Sequence, residues 1–223
     1  MKKKSPGSRA LSVRLKSARG RTLSSQLWLT RQLNDPYVKQ AKLFGYRSRA
    51  AYKLIEIDDK FKLFKPGFCV VDLGAAPGGW TQVALARVGA KGTVVGIDLT
   101  PVEPLAEATL ICGDFNDLEV REELKALLEG PVDVVLSDMA ASSTGHPQTD
   151  HIRIMMLAEE AFSFAQDTLK EGGSFVAKVL QGGTEKTLLM LLKKHFTKVA
   201  HFKPPASRSD SAEMYVIALG YHS

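Results

Sequence analysis

The sequence predicts one α/β domain built on a doubly wound, mostly parallel sheet of seven strands. Beyond Pro66, strand-like runs alternate with helical stretches, which is the pattern of such folds. Several of these runs are apolar at nearly every position, as expected where helices cover both faces of a sheet. The last two runs follow one another without an intervening helix, which predicts an antiparallel strand at the sheet edge.

The composition agrees with this fold class. The chain has 223 residues, of which 44% are hydrophobic and 24% charged, so we expect a soluble globular protein and exclude a disordered one. No apolar run approaches the roughly 20 residues that span a bilayer, so we expect no membrane segment. Two cysteines and five histidines without ligand spacing predict no metal site. The low cysteine content suits a reducing, cytoplasmic compartment.

Basic residues are concentrated at the start of the chain. Residues 1–65 contain 17 Lys and Arg against 4 Asp and Glu, whereas the remainder contains 13 against 20. Residues 1–23 show no hydrophobic periodicity, and we interpret them as a flexible basic arm that either contacts a polyanion or is a solvated tail. Their acid-poor, Ser-containing composition leaves a mitochondrial transit segment as an alternative. Residues 24–223 form the single predicted domain.

Residues 24–65 are predicted as the helical front of this domain. Helices are expected over 35–44 and 47–64, the second with an apolar stripe at spacings of three and four. The strands that follow are predicted at 68–73, 93–99, 109–112, 132–137, 174–179, 198–202 and 214–219. The remaining helices are predicted at 81–88, 118–128, 151–169 and 185–195.

A glycine-rich loop joins the first strand to the next helix. It reads Gly74-Ala75-Ala76-Pro77-Gly78-Gly79 and leads into Trp80. Ligands of open α/β sheets bind at the carboxyl ends of the strands, and glycines let the backbone approach a ligand closely. The glycine spacing departs from the G-x-G-x-x-G dinucleotide fingerprint. This departure disfavours an NAD-dependent oxidoreductase.

Each of the first three strands ends at or near an acidic residue. Asp72 lies at the end of an apolar run, where burial without a partner is costly. Asp98 is placed to accept both hydroxyls of a ribose, and Asp114 is suited to an adenine amino group. A nucleoside ligand without pyrophosphate, such as S-adenosyl-L-methionine (AdoMet), fits this pattern.

Residues 72–80, with the sequence Asp-Leu-Gly-Ala-Ala-Pro-Gly-Gly-Trp, resemble motif I of the FtsJ-like RNA 2′-O-methyltransferases. The similarity extends across most of the chain from about Trp28. It includes Tyr37-Val38, Arg47-Ser48-Arg49-Ala50, Tyr52-Lys53-Leu54, Ser137-Asp138-Met139-Ala140, Gly172-Gly173-Ser174-Phe175-Val176, Lys178-Val179 and Glu213-x-Tyr215. Within the family, the chain is most similar to the bacterial branch that acts on large-subunit ribosomal RNA.

The resemblance implies a Rossmann-like, AdoMet-dependent methyltransferase fold and a set of site residues. The family's Lys-Asp-Lys-Glu tetrad falls on Lys53, Asp138, Lys178 and Glu213, with Lys178 as proton acceptor. Cofactor contacts are implied for Asp72, Gly74, Pro77, Gly78, Gly79, Trp80, Asp98, Leu99, Asp114, Phe115 and Asp138. Lys178 also stands out by itself, because an ammonium in an apolar strand needs a partner, and Asp138 is the natural one.

The implied reaction is methylation of the 2′-hydroxyl of a uridine in 23S ribosomal RNA, in an assembled or late-assembling large (50S) subunit. We expect a monomer, with RNA contacts at Lys39, Lys42, Arg47, Arg49 and Arg208, and we expect the interleaved aromatic residues Tyr37, Phe44, Tyr46 and Tyr52 to pack in the core. Two alternatives stay open: a transfer-RNA anticodon-loop 2′-O-methyltransferase, and a ribosome assembly factor with secondary methylation. A base methyltransferase is disfavoured, because Asp138-Met139-Ala140-Ala141 is not an Asn-Pro-Pro-Tyr-type loop.

Overall fold

A computed structural model describes Gly20, residues 22–182 and residues 186–223. Most of the predicted basic arm therefore lies outside the described residues. The helices are α1 (Leu23–Asn34), α2 (Pro36–Phe44), α3 (Ala51–Phe61), α4 (Gly79–Val88), α5 (Leu118–Ala126), α6 (Pro147–Thr168) and α7 (Lys186–His195), with a 3₁₀ turn at Gly89–Lys91. The strands are β1 (Cys69–Leu73), β2 (Thr93–Asp98), β3 (Ala108–Cys112), β4 (Val132–Ser137), β5 (Leu169–Leu180), β6 (Phe196–Phe202) and β7 (Glu213–Tyr221).

The seven strands form one sheet in the order β3-β2-β1-β4-β5-β7-β6. Neighbours from β3 to β5 are parallel, and β7 is antiparallel to both β5 and β6. The predicted fold class is confirmed, including the antiparallel strand. The structure adds its position, since β7 lies one strand in from the β6 edge. With no helix between β6 and β7, the chain turns back directly, and the two strands pair antiparallel.

The sheet separates two hydrophobic cores. Leu54 of α3 and Trp80 of α4 belong to the core on one face, whereas Leu124 of α5, Phe162 of α6 and Leu188 of α7 belong to the core on the other. Helices on both faces explain why the strands are apolar at nearly every position. Within the described ranges, every helix is too short or too polar to cross a lipid bilayer.

The helical front differs in detail from the prediction. A separate helix, α1, precedes α2, and its first turn is capped by the Thr22 hydroxyl, which accepts from the Ser25 amide at 3.2 Å. Helix α3 begins at Ala51 instead of residue 47 and ends at Phe61, and the next residue, Lys62, has a left-handed φ of 57°. Its buried stripe, with Leu54 and Ile57 fully enclosed, is confirmed.

Candidate active site

Three strands bring charged residues together at one end of the sheet, where the parallel strands terminate. Asp138 directly follows β4, Lys178 lies near the end of β5, and Glu213 is the first residue of β7. Because β7 runs antiparallel to its neighbour, Glu213 pairs in register with Leu180 at the end of β5. The strand reversal therefore places a residue from the start of one strand beside residues from the ends of the others. Lys53 reaches this point from the first turn of α3.

The four members of the tetrad form a connected ionic network. The Lys178 Nζ lies 2.8 Å from Asp138 Oδ1 and donates to the Asp138 carbonyl at 2.7 Å. The Glu213 carboxylate joins the two lysines, with Oε1 2.7 Å from the Lys53 Nζ and Oε2 3.9 Å from the Lys178 Nζ. The side chains are only 10–17% exposed. Positive and negative charges alternate, so that the cluster is neutral and each buried charge has a partner.

Tyr215 completes this network and was not singled out as a site residue from the sequence. Its hydroxyl donates to Asp138 Oδ1 at 2.7 Å and accepts from the Lys53 Nζ at 3.3 Å. Burial, together with the Asp138 and Glu213 carboxylates, raises the pKa of Tyr215 well above its ordinary value, so the phenol stays protonated. The available signal was its position two residues after Glu213, which places both side chains on one face of a strand.

Asp138 is held as a carboxylate. Burial acts to raise the pKa of Asp138, but the ammonium groups of Lys178 and Lys53 and two side-chain hydrogen bonds outweigh it, and the pKa lies below its ordinary value. The ionised group is a permanent acceptor for Lys178 and Tyr215. It therefore fixes the direction in which the Lys178 amine points.

A cavity lies beside Asp138 at the ends of β1, β2, β3 and β4. Five of the predicted cofactor residues line it: Gly74, Asp98, Leu99, Asp114 and Phe115. Met139 and Ala140, which follow Asp138, form part of its wall. The two Asp98 oxygens accept the Ala76 and Thr100 amides at 2.9 and 2.8 Å, and each keeps a lone pair for a ligand. Carboxylates next to apolar walls suit a ribose attached to a flat ring.

The other predicted cofactor residues support the loop without lining this cavity. Asp72 and Trp80 are buried in the domain. The Trp80 Nε1 donates to the Ala50 carbonyl at 2.9 Å, and the Pro77 carbonyl accepts from Arg47 at 3.2 Å. Gly78 and Gly79 lie against the same segment of the chain as these two contacts. Cofactor contact stays a prediction for these five residues, for Asp138 and for the five residues that line the cavity.

Asp72 should make stability depend on pH. Burial raises its pKa to about 7, and the Asp138 and Asp98 carboxylates add to this, against the hydrogen bond from Thr81 Oγ1 at 2.7 Å. An unfolded aspartate has a pKa near ~3.9, so the folded state binds the proton more tightly. The resulting stabilisation is present below pH ~4 and is lost as pH rises through about 7.

The measurement is urea unfolding of wild type and Asp72→Asn at pH 5 and pH 8. Wild type should lose about 2–3 kcal/mol more unfolding free energy than the variant between these pH values, from ~1.4 kcal/mol for each pH unit. Parallel pH dependence in the two proteins would show that Asp72 ionises in the fold as it does in water.

A second, more polar cavity lies on the Lys53 and Glu213 side of the tetrad. It is lined by Arg31, Arg49, Lys53, Arg208, Asp210, Ser211 and Glu213. The Arg49 Nε is 2.8 Å from Asp35 Oδ2, and the Arg208 Nε is 3.9 Å from the same atom. Arg31, on the unpredicted helix α1, forms an exposed ion pair with Asp210 at 3.6 Å. Sequence reasoning missed Arg31 because α1 has no strong apolar periodicity.

The remaining predicted RNA residues fall in different surroundings. Lys39 and Lys42 are exposed on α2. The Arg47 guanidinium is bound to carbonyl groups of this chain. Tyr37 and Tyr46 both pack against Tyr52, with ring centroids 5.4 and 5.7 Å apart. The expectation of core packing was wrong for Phe44, which is 69% exposed at the end of α2, because the helix ends there and turns through Gly45.

Comparison with known proteins agrees with this geometry. A ribosomal RNA large subunit methyltransferase E from Paramagnetospirillum magneticum is 60% identical over 220 residues, covering 96% of this chain and 90% of that protein. A protein of the same name from Gluconobacter oxydans is 61% identical over 209 residues, covering 94% and 77%. The crystal structure of a Plasmodium falciparum protein described as a ribosomal RNA methyltransferase matches with a TM-score of 0.71 at 30% identity, covering 79% of this chain and 98% of that one.

The family assignment extends over most of the fold. The match to FtsJ-like methyltransferases covers residues 46–221, which include every strand, the tetrad and the cavity beside Asp138. The tetrad and the cavity lie at the end of the sheet where the parallel strands terminate. Both relatives align over nearly the whole chain. The chain belongs to the FtsJ-like methyltransferase family.

Proposed function

We propose that the protein transfers a methyl group from AdoMet to the 2′-hydroxyl of a uridine in large-subunit (23S) ribosomal RNA. The observation that carries the proposal is the position of the tetrad between two cavities. One cavity has carboxylates and apolar walls beside Asp138, and the other has arginines beside Lys53 and Glu213. A methyl donor and an anionic acceptor bound on opposite sides would meet at the Lys178 amine.

The residues beside Asp138 fit AdoMet. Asp98 would accept the ribose hydroxyls and Asp114 the adenine amino group, while Leu99 and Phe115 would cover the faces of the ring. When bound, AdoMet supplies a methyl group on a positively charged sulfur. The carboxylates Asp98 and Asp138 lie on this side of the domain, and their negative charge favours a cationic ligand.

Lys178 is the general base in this proposal. To act, the Lys178 ammonium would first lose its proton to solvent. The neutral amine would then take the proton of the 2′-hydroxyl as the hydroxyl oxygen bonds to the methyl carbon, whose bond to sulfur breaks and leaves a neutral thioether. Asp138 directs the amine through the contacts at 2.7 and 2.8 Å, and the Tyr215 hydroxyl donates to the same carboxylate oxygen, Oδ1. Lys53 and Glu213, which line the polar cavity, position the ribose. Because the displacement is in line, alignment of donor and acceptor supplies much of the rate.

The polar cavity would receive the RNA. Arg31 and Arg208 line it together with Arg49, whose Nε is paired with Asp35 and whose Nη2 donates to the Ala206 carbonyl. Arginines bind phosphates through paired N–H donors, so Arg31 and Arg208 would make the main phosphate contacts. Lys39 and Lys42 would extend the contact along the exposed face of α2. The names of the relatives indicate the large ribosomal subunit as the source of this RNA. The proposal includes a late-assembling 50S particle as substrate and a monomeric enzyme in the cytoplasm.

The test is transfer of labelled AdoMet to three acceptors: 50S particles, free ribosomal RNA and transfer RNA, all lacking the modification. We expect label in the large-subunit RNA, more rapidly in particles than in free RNA. Label in transfer RNA alone would support the anticodon-loop alternative and overturn this substrate. No transfer to any acceptor, with AdoMet bound, would favour an assembly role.

A further inference from the structure

Residues 45–50, which connect α2 to α3, are fastened to the helix after the glycine loop (residues 74–79). The Arg47 amide donates to Gln82 Oε1 at 2.8 Å, and the Gln82 Nε2 donates to the Gly45 carbonyl at 3.0 Å. The Trp80 Nε1 donates to the Ala50 carbonyl at 2.9 Å. We call residues 45–50 the brace. It leads directly into α3, which carries Lys53.

The Arg47 guanidinium joins two loops that each contribute a residue, Gly74 or Leu99, to the wall of the cavity beside Asp138. One nitrogen, Nη1, donates to the Pro77 carbonyl in the glycine loop at 3.2 Å and to the Glu103 carbonyl at 2.6 Å. The other, Nη2, donates to the Pro104 carbonyl at 2.9 Å. Glu103 and Pro104 belong to the β2–β3 loop (residues 99–107), which begins with the cavity residue Leu99. One side chain therefore connects the brace to both loops.

The last two glycines of the loop make room for this contact. A Cβ on Gly78 would lie 2.8 Å from the Arg47 Nη1, and a Cβ on Gly79 would lie 2.5 Å from the Ser48 Oγ. Neither glycine lines the cavity beside Asp138. The space that the missing side chains leave is occupied by the brace. These two glycines therefore allow another segment of the same chain, and not a ligand, to pack closely against this side of the loop.

We propose that Arg47 is a positioning residue that fixes the two cofactor loops relative to the helix bearing Lys53, and that it is not an RNA phosphate contact. At least three of its five N–H donors are directed to carbonyls of its own chain. A planar guanidinium can bridge two loops in this way, whereas an ammonium on a flexible stem is not preorganised to do so. The proposal rests on the methyltransferase function proposed above.

The test compares Arg47→Ala and Arg47→Lys with wild type in two binding measurements. AdoMet affinity by calorimetry should fall about tenfold or more in both variants, since tenfold corresponds to little more than one hydrogen bond. RNA affinity and its salt dependence should match wild type. Lys91→Ala, which removes an exposed charge outside both cavities, controls for the change in net charge and should leave AdoMet affinity as it is.

The opposite pattern would overturn the proposal. A phosphate contact predicts wild-type AdoMet affinity, weaker RNA binding with the salt slope reduced by about one, and rescue by Arg47→Lys. If Arg47→Ala does not fold, Arg47→Lys decides between the two outcomes. Wild type is measured first, because absence of AdoMet binding there would refute the proposed function, whereas loss only in the variants speaks to Arg47.

Discussion

Replacing Lys178 with alanine is expected to reduce kcat for methyl transfer by about 10²–10⁴-fold, the usual contribution of a positioned general base. The Lys178 Nζ is the donor to both Asp138 oxygen contacts at 2.7 and 2.8 Å, and no other amine has this position among the described residues. The AdoMet dissociation constant should stay close to wild type, because Lys178 does not line the cavity beside Asp138. The measurements are single-turnover transfer at saturating AdoMet and calorimetry.

A matched control is Lys198→Ala, which removes an exposed lysine from the edge strand β6. It should transfer methyl groups at the wild-type rate. Wild-type kcat in the folded Lys178→Ala variant would show that Lys178 is not the general base. Loss of AdoMet affinity in the same variant would indicate that the substitution has disturbed the cofactor side of the site.

Replacing Gly74 with alanine should damage both stability and cofactor binding. Gly74 has a φ of 83°, and a Cβ there would lie 2.8 Å from the Met139 amide nitrogen. The left-handed backbone costs about 1–2 kcal/mol, and pushing apart closely packed backbone costs about 1–3 kcal/mol more. The displaced residue adjoins Asp138, whose own amide donates to the Leu73 carbonyl at 3.1 Å. We therefore expect weaker AdoMet binding as well as a lower unfolding free energy.

Gly67→Ala is the matched control for this prediction. Gly67 has nearly the same φ, 85°, but nothing lies within 4 Å of the position its Cβ would take. It should lose only the cost of the left-handed backbone and keep wild-type AdoMet affinity. Equal losses of unfolding free energy in the two variants, measured by urea unfolding, would mean that the approach of Met139 to Gly74 has no energetic consequence.

The sheet was predictable because its pattern is local. Buried parallel strands are apolar at nearly every position, and this marks β1, β2 and β4 clearly. The tetrad was predictable by resemblance, and Lys178 also by its isolation in an apolar run. Helix α1 was not separated from the rest of the helical front, because its apolar residues do not gather on one clear face of the helix; Leu23 and Leu27 are exposed in the structure. Arg31 was missed with it.

Contacts between distant segments could not be predicted from the sequence. Nothing near Arg47 indicates that its partners are carbonyls at residues 77, 103 and 104, since a basic residue beside other basic residues suits RNA equally well. The same holds for the glycine pair, whose neighbours are Arg47 and Ser48. Residue type limits the chemistry of a side chain, but the partner is decided by chain topology.

The most direct test of the proposed chemistry is the position of the transferred methyl group. Large-subunit RNA labelled by the protein from radioactive AdoMet is digested to nucleosides, which are then separated by chromatography beside standards. We expect the label in 2′-O-methyluridine, and we expect Lys178→Ala to form this nucleoside about 10²–10⁴-fold more slowly. Label in a base-methylated nucleoside would contradict the assignment of Lys178 as the base that receives a ribose proton.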